Sequence, residues 1–478
     1  MAVDVTIAKP SRGEEQARRS AFLVATLASF LTPFMGSSVN VALPSIGRDF
    51  GLDTVELSWV ATSFLLAAAV FLVPFGRIAD MVGRKRVFVA GTVLFTLASF
   101  FCGVSSSGAM LIGFRAMQGA GASMIFGTGM AILTSLYPPG ERGRVLGYNV
   151  AAVYLGLSLG PFLGGFLTRQ MGWSSVFFAN VPPGLLIVLV SALKLKGEWT
   201  GSPGEKFDIA GSVLYALALS AFMAGITRLP GVEGAGVAAA GVLLLVLFAR
   251  WERHAVNPVL DVGLFRSNVV FAFSNLAALI NYSATFAVTF LLSLYLQEIK
   301  GLDPQEAGTI LLAQPVLMAL LSPLAGRLSD RIEPRVVASI GMGLAVAGLG
   351  MLSRIDAGTS PFFIVISLVV LGSGFALFSS PNTNAVMSSV SPKQYGIASA
   401  TIGTMRLIGQ MLSMGIATVL LAVFVGRVKV TASLHPQFLE ALRAAFLLFT
   451  VLCLGGIFAS LARGRVRGGG NAVPVTRE

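Results

Sequence analysis

Long apolar runs recur along the whole chain, and they restrict its fold more than any other feature. A helix needs about 20 mostly apolar residues to cross the hydrocarbon core of a bilayer. Fourteen runs of this kind are present, near residues 21–45, 56–75, 87–106, 108–134, 145–168, 175–193, 208–228, 233–249, 268–297, 306–325, 336–353, 361–387, 397–424 and 442–462. The composition agrees, because 55% of the residues are hydrophobic and only 12% are charged. The sequence therefore predicts an all-α integral membrane protein with fourteen transmembrane helices, numbered here as spans 1 to 14.

Basic residues predict the orientation of these spans. Lys and Arg concentrate near both termini and in the loops that follow even-numbered spans, which is the positive-inside pattern. Both termini are therefore predicted to be cytoplasmic, in a bacterial inner membrane. The net charge of +12 is explained by this anchoring, so we expect no nucleic-acid partner. Cys102 and Cys453 fall within apolar runs, so we expect neither a disulfide nor a metal site.

The chain contains an internal repeat. The segment GRIADMVGRK begins at Gly76, and GRLSDRIEPR begins at Gly326 with Gly, Arg and Asp at matching places. A second match pairs Gly160 with Gly409. Duplicated helical bundles are how many secondary transporters build two lobes around a midplane site. The predicted organisation is a cytoplasmic tail (1–20), a six-span bundle (21–194), a linker with two inserted spans (195–267), a second six-span bundle (268–463) and a cytoplasmic tail (464–478).

The loop between spans 2 and 3 places one carboxylate among several basic residues. Membrane anchoring explains the basic residues, but it does not explain the aspartate, the glycines or the second copy of the loop. Glycine permits a sharp turn, and a carboxylate can pair with an arginine or with a helix N-terminus. We interpret both copies as a charge latch that is made and broken as the lobes rock. Its predicted members are Gly76, Arg77, Asp80, Gly83, Arg84, Gly326, Arg327 and Asp330.

Span 5 carries the segment GLSLGPFLGG at residues 156–165. Small residues at this spacing let helices approach closely, and proline permits a helix to bend. From the spacing alone, generic close packing and a functional bend are equally consistent. The residues concerned are Gly156, Gly160, Pro161, Gly164 and Gly165.

Arg115 and Arg406 are the basic residues that lie well inside predicted spans. A guanidinium at mid-membrane costs about 2.5 to 3.5 kcal/mol on insertion scales, so it faces a protein interior or a water-filled cavity. No Asp or Glu lies at similar depth, which leaves neutral acceptors and water. Two interpretations stay open, namely ties between helices and a positive cavity that favours anionic or neutral amphipathic substrates. The predicted cavity residues are Arg115, Arg406, Asn40, Gln118, Asn149, Tyr154, Asn275, Asn281, Tyr282, Gln314, Asn382 and Asn384.

Several segments resemble signatures of the major facilitator superfamily. GRIADMVGRKRV resembles its loop signature, FRAMQGAGAS its fourth-helix signature, and GLSLGPFLGG the fifth-helix signature of its exporters. GWSSVFFANVPPG at 172–184, NPVLDVGLFRS at 257–267 and the inserted pair of spans resemble its fourteen-span drug:proton antiporter branch. The resemblance implies two pseudo-symmetric six-helix bundles around a central cavity, and alternating access without a cofactor. It also implies that Asp80 belongs to the latch, Arg115 to an element linked to proton coupling, and Gly160 with Pro161 to a bend that suits export.

The first span departs from that branch at one position. Met35 stands where the branch usually has an aspartate, although Asn40 and Pro44 match. Proton coupling needs a group that changes charge during the cycle. Arginine stays protonated, and the histidines lie in loops, so Glu298 and Asp80 are the titratable candidates, with Arg115 linked to coupling only by the resemblance.

These observations predict a secondary active exporter of amphipathic small molecules or drugs. We expect it to work as a monomer surrounded by membrane lipid, by proton-coupled antiport. The alternatives are an exporter or flippase of anionic metabolites or lipids, and an uncoupled facilitator. A polytopic membrane enzyme is disfavoured, because the predicted spans place no Asp, Glu or His at the depth where acid, base or metal chemistry would be needed.

Overall fold

The computed structural model describes residues 12–137, 139–195, 197–200, 206–255, 258–260, 262–390, 395–428 and 430–464. In these ranges, 14 helices are long and apolar enough to cross a membrane, which confirms the predicted number. In order, spans 1 to 14 are Glu15–Phe50, Thr54–Val82, Arg84–Gly103, Gly108–Leu136, Ala151–Met171, Ser174–Lys194, Ile209–Ile226, Val232–Glu252, Val269–Ile299, Pro304–Ser329, Pro334–Leu352, Pro361–Ser388, Ile397–Phe424 and Ala432–Ala462.

Some of these helices extend beyond their apolar part or change geometry within it. The helix of span 1 begins at Arg12, and that of span 5 is continuous over Pro139–Met171. Span 9 comprises Val269–Thr285, Ala287–Leu294 and a terminal π-helical turn at Tyr295–Ile299. A short helix, Gly263–Ser267, precedes span 9.

Spans 2 and 10 begin with the same local structure. Asp53 caps span 2, and the Glu56 carboxylate accepts a hydrogen bond from the backbone N–H of Asp53, which completes a capping box. Asp303 and Glu306 do the same for span 10, at the spacing that relates Gly76 to Gly326. The preceding glycines, Gly51 and Gly301, also match, with φ angles of 67° and 65°. The repeat therefore extends beyond the loop motif to the way in which these helices start.

The first bundle contains spans 1 to 6 and the second contains spans 9 to 14. In the first bundle, span 1 packs on span 5, and span 4 packs on spans 2 and 3. The second bundle repeats this arrangement, since span 9 packs on span 13, and span 12 packs on spans 10 and 11. The bundles meet along two seams, where span 2 contacts span 13 and span 5 contacts span 10. Since span 10 is the repeat of span 2 and span 13 that of span 5, these two seams are equivalent under the pseudo-two-fold symmetry.

The inserted spans 7 and 8 pack against each other, and span 7 contacts both bundles beside the seam of spans 2 and 13. The hydroxyl of Tyr215 on span 7 donates to the backbone oxygen of Ala69 on span 2 at 3.2 Å. Met223 of span 7 lies against Gly415 of span 13. Arg427, in the loop after span 13, donates to the backbone oxygen of Thr227 at 3.0 Å. The inserted pair therefore covers one seam from the side.

Candidate substrate site and gates

Arg115 lies inside the first bundle, where only 1% of the residue is exposed. Its Nε donates to the backbone oxygen of Val60 at 2.9 Å, and a terminal guanidinium nitrogen donates to the side-chain oxygen of Gln118. Gln118 in turn donates to Ser99 Oγ at 2.7 Å. The guanidinium carbon lies 4.5 Å from the ring centroid of Phe64. Neutral groups of spans 2, 3 and 4 thus surround the charge, and they join these three helices.

Arg406 has a different environment, in the space between the bundles. Its guanidinium carbon lies 5.5 Å from the ring centroid of Phe126, which belongs to span 4 of the first bundle. Tyr282 on span 9 lies within electrostatic range of both Arg406 and Tyr154 of span 5. All four side chains are partly exposed. Among the described residues, no acceptor forms a hydrogen bond with the Arg406 guanidinium.

Besides Arg115, the first bundle buries three of the predicted cavity residues, namely Asn40, Gln118 and Asn149. Gln118 is 0% exposed and is engaged by Arg115. The amide nitrogen of Asn149 contacts the sulfur of Met130 on span 4 at 3.2 Å. Asn40 is also buried. The structure therefore places these amides within the first bundle, and a contact with substrate stays a prediction for each of them.

The predicted cavity residues of the second bundle, apart from Tyr282 and Arg406, are mostly engaged with protein. Asn382 donates to the backbone oxygen of Ser274 at 3.1 Å, which joins span 12 to span 9. Asn384 donates to Ser329 Oγ at 3.0 Å, which joins span 12 to span 10. The remaining members are also buried: Asn275, Asn281 and Gln314. Hydrogen bonds that hold helices together are thus the observed role of the span 12 amides.

Arg463, at the end of span 14, is a buried cation that the sequence analysis did not identify. It is 0% exposed, and it donates to the Asn382 side-chain oxygen at 2.8 Å and to the backbone oxygen of Pro334 at 3.1 Å. Burial lowers its pKa to about 10, so it remains charged at neutral pH. In the sequence it resembles an ordinary anchoring residue beside a membrane boundary, and no local pattern distinguishes it.

The predicted latch forms an ion pair within its own loop. Asp80 Oδ1 accepts from two nitrogens of Arg84, at 2.8 Å and 2.9 Å, and the third guanidinium nitrogen donates to Ser135 Oγ at the end of span 4. Gly83, between these helices, has a φ of 126°, which favours glycine. The backbone of Gly76 lies close to Gly127 on span 4.

The second copy of the latch is described only in part. A Cβ at Gly326 would lie 3.1 Å from the Ser380 hydroxyl, so span 10 runs close to span 12 there. Arg327 is exposed. The side chain of Asp330 lies outside the described residues. State-dependent breaking of either latch stays a prediction.

Glu198, in the linker after span 6, binds the first latch loop and was not predicted to do so. Its carboxylate accepts from the backbone nitrogen of Lys85 at 2.8 Å and lies 3.6 Å from the guanidinium of Arg86. It therefore sits at the N-terminus of span 3, where a carboxylate is favourable. A Cβ at Gly83 would lie only 2.4 Å from the Glu198 carboxyl carbon, so a larger residue there would displace this carboxylate.

The glycines of span 5 let it approach span 1 closely. A Cβ at Gly156 would lie 2.3 Å from the backbone oxygen of Phe30, and one at Gly164 would lie 2.8 Å from the Cα of Ser38. Ser38 also donates to the backbone oxygen of Gly160 at 3.0 Å. These glycines are four residues apart and share one face of the helix.

Span 5 also crosses span 10 of the second bundle at close range. A Cβ at Gly165 would lie 2.3 Å from the backbone oxygen of Pro304, and one at Gly308 would lie 2.1 Å from the backbone oxygen of Pro161. The helix continues through Pro161. The glycine segment therefore provides close packing on both sides of span 5, and its role in a bend that suits export stays a prediction.

An ion pair joins the bundles at the face predicted to be extracellular. Arg48, at the end of span 1, lies 3.0 Å from Glu298 at the end of span 9. The two positions are equivalent in the repeat, by the spacing that relates Gly51 to Gly301. Residues that contact their own symmetry equivalents must lie near the symmetry axis, so this pair closes the centre of that face. Glu298 is one of the candidates for proton coupling that the sequence predicts, together with Asp80 and Arg115.

Further contacts close the same face. Arg169 of span 5 pairs with Asp303 at 3.1 Å. Gln297 donates to the backbone oxygen of Val41 at 3.0 Å. Spans 2 and 13 are joined by a hydrogen bond of 2.8 Å between two hydroxyls, Thr418 and Ser58. These contacts between the bundles all lie in the half of the molecule that is predicted to be extracellular.

Met35, the departure from the expected first-span pattern, is fully buried within the first bundle. Its sulfur lies 2.9 Å from the amide nitrogen of Asn180, between spans 1 and 6. The same amide nitrogen donates to the backbone oxygen of Val176 at 2.9 Å. This position therefore holds an apolar side chain, and it provides no group that could titrate.

Comparison with known proteins agrees with this architecture. The family model described as Major Facilitator Superfamily matches residues 25–273 and, as a second repeat, residues 274–476. The chain belongs to the Major Facilitator Superfamily. Like other members of the superfamily, it is a membrane-spanning transporter of small molecules, which agrees with the expectation that it is not an enzyme.

Two curated members of the superfamily illustrate its range. The riboflavin transporter RibZ of Clostridioides difficile (strain 630) is 29% identical over 384 residues, which cover 80% of this chain and 84% of RibZ. The cephamycin export protein CmcT of Amycolatopsis lactamdurans is 31% identical over 469 residues, which cover 96% of each chain. The likeness to an antibiotic exporter over nearly the full length supports the predicted export branch of the superfamily.

A solved structure shows the same fold. It is a bacterial homologue of the human lysosomal transporter Spinster, in an inward-facing and unoccupied conformation. The TM-score is 0.69 at 17% sequence identity, and the alignment covers 95% of this chain and 98% of that chain. The predicted major facilitator fold is thereby confirmed.

Proposed function

We propose that this transporter exports amphipathic aromatic small molecules from the cytoplasm by alternating access. The observation that carries the proposal is the one-sided closure of the space between two pseudo-symmetric bundles. Contacts near the symmetry axis hold the predicted outer face shut, while Arg406, Tyr282 and Tyr154 remain partly exposed between the bundles. A transporter in this conformation accepts its substrate from the predicted cytoplasmic side.

Relatives and sequence motifs support the direction and the substrate type. CmcT is named for cephamycin export and RibZ for riboflavin transport, and both names denote organic molecules of moderate size. Export also rests on the resemblance of GLSLGPFLGG in span 5 to exporter sequences. The positive-inside pattern supports a cytoplasmic position for both termini in a bacterial cell.

Proton coupling is assigned to Glu298 in this proposal. While the outer face is open, this carboxylate takes up a proton from the outside. When the face closes, the proton is released towards the cytoplasm and the charged carboxylate pairs again with Arg48, so proton entry accompanies the return to the closed state. The usual first-span aspartate is replaced by the buried Met35, so the carboxylate must come from elsewhere. Glu298 fits because it joins the two bundles in the closed state.

The proposal is tested with purified protein in proteoliposomes, where riboflavin and a panel of aromatic drugs are offered with and without a pH gradient. We expect saturable transport of at least one compound and accumulation driven by the gradient. Glu298→Gln should keep substrate exchange and lose gradient-driven accumulation. Glu440→Gln, which removes an exposed carboxylate on span 14, is the matched control and should retain both. Gradient-driven accumulation by Glu298→Gln would refute the coupling, and absence of flux for every compound would refute export.

A further inference from the structure

Two fully buried guanidinium groups have acceptors among the described residues, whereas the partly exposed guanidinium of Arg406 has none there. Arg115 has Val60 and Gln118, and Arg463 has Asn382 and Pro334. Arg406 has no hydrogen-bond acceptor in the part of the chain that the structure describes. A guanidinium at membrane depth is expensive unless water or a partner solvates it. A partly exposed guanidinium without an acceptor is therefore available to a ligand.

The surroundings of Arg406 are aromatic. Phe126 of the first bundle lies 5.5 Å from the guanidinium carbon. On the side of the second bundle, Tyr282 makes an edge-to-face contact with Phe375, with 5.4 Å between ring centroids. Rings from both bundles thus flank the cation, which suits a flat aromatic body held between the lobes.

The fork of N–H donors on arginine matches the two oxygens of a carboxylate better than any neutral group, and such paired bonds are strong where water is scarce. The same charge repels a cationic substrate. No carboxylate of the described spans pairs with Arg406, so the N–H donors of its guanidinium are not used by these spans. A ligand that carries its own carboxylate would complete it.

We propose that Arg406 selects aromatic substrates that carry a carboxylate. The carboxylate binds the guanidinium, and the aromatic body lies between Phe126 and Tyr282. This inference rests on the proposed export function and narrows its substrate class. It also decides between the two interpretations that the sequence left open for Arg406, in favour of a cavity residue rather than a tie between helices.

The test uses two dyes that differ at one group. Rhodamine 110 carries a free carboxylate, and rhodamine 123 is its methyl ester with the same ring system. We expect rhodamine 110 to stabilise the purified wild-type protein against heat more than rhodamine 123 does. Arg406→Gln should weaken rhodamine 110 binding about ten- to hundredfold, as expected for the loss of charge-assisted hydrogen bonds. The same variant should bind rhodamine 123 equally well or better, and Arg406→Lys should recover part of the preference.

Arg250→Gln is the matched control, because it removes one exposed basic residue on span 8, which belongs to the inserted pair. It should leave the preference for the carboxylate unchanged. The inference is overturned if wild type prefers the ester, if neither dye stabilises it, or if Arg406→Gln loses both dyes equally. Binding is read without transport, so a carboxylate preference without flux would refute export alone, and flux without that preference would refute only this inference.

Discussion

At the scale of single residues, the arginines show how a buried charge is accommodated without an acid. Arg115 is surrounded by a backbone oxygen, an amide oxygen and the face of an aromatic ring. Each acceptor is neutral, so the free-energy cost of desolvating the guanidinium is offset by hydrogen bonds rather than by an ion pair. Gln118 is central, because it accepts from Arg115 and donates to Ser99 at the same time.

Because of this arrangement, loss of the acceptor Gln118 alone should destabilise the protein more than loss of both Arg115 and Gln118. Gln118→Leu leaves the Arg115 guanidinium short of an acceptor in a buried site, which should destabilise the protein by about 2 kcal/mol. The double variant Arg115→Met, Gln118→Leu replaces both groups by apolar ones and should recover much of that loss. Thermal unfolding of the detergent-purified variants measures the order of their stabilities. A double variant less stable than Gln118→Leu would show that the guanidinium stabilises the bundle by itself.

Part of this could be predicted from the sequence. The depth of Arg115, the lack of acids near it and Gln118 as a partner all follow from spacing along a helix. The difference between Arg115 and Arg406 does not, because it depends on which helix covers each side chain after packing. Arg463 was missed for a related reason: a cation at the end of a span resembles an anchor until the neighbouring helices are placed around it.

At the scale of elements, the bilayer makes the spans easy to predict from the sequence, but the contacts between the spans are hard to predict. The requirement for a long apolar helix is local, and the fourteen predicted runs therefore correspond to the observed helices. The docking of Glu198 on the start of span 3 depends instead on the path of a linker, and no periodicity reveals it. The glycines of span 5 were recognisable as a close-packing face, but their partners on spans 1 and 10 were not.

The crossing of spans 5 and 10 should be sensitive to a single methyl group. A Cβ at Gly308 would overlap the backbone oxygen of Pro161, at 2.1 Å, and a backbone atom cannot rotate away. Gly308→Ala should therefore lower the thermal stability and favour separation of the bundles at the predicted outer face. Gly343→Ala is the matched control, because nothing lies within 4 Å of its Cβ position on span 11. The control should be neutral or stabilising by roughly 0.5 to 1 kcal/mol. Equal melting temperatures for both variants would mean that the crossing is not a close contact.

At the scale of the whole molecule, the internal repeat does more than duplicate a bundle. Both seams pair a second helix of one half with a fifth helix of the other, so the two sides of the interface are alike. The symmetry is broken at the axis, where Arg48 and Glu298 occupy equivalent positions with opposite charges. Two identical charges there would repel, and divergence after duplication has produced an attractive pair. The spacing of the repeat could have predicted this contact from the sequence.

An interaction at the axis is well placed to set the balance between closed and open outer faces. Reversal of one charge, by Glu298→Arg, puts two cations in contact, whereas the double reversal Arg48→Glu, Glu298→Arg restores opposite charges. Both side chains are partly exposed, so the pair contributes about 1 kcal/mol at most, or roughly a fivefold shift in the equilibrium. The single variant should be more open at the outer face, and the double variant should return towards wild type.

Cysteine labelling measures this balance directly, since the native Cys102 and Cys453 are both buried. Val41→Cys places a thiol in the outer contact between the bundles, where Val41 is 0% exposed. A membrane-impermeant maleimide should label it up to about fivefold faster in Glu298→Arg than in the unreversed protein, and the difference should shrink at high salt because the pair is partly exposed. The double reversal is the decisive comparison. If it labels as fast as the single reversal, the interaction between the two charges does not hold the face closed, and the closure must come from the helix packing of the two seams.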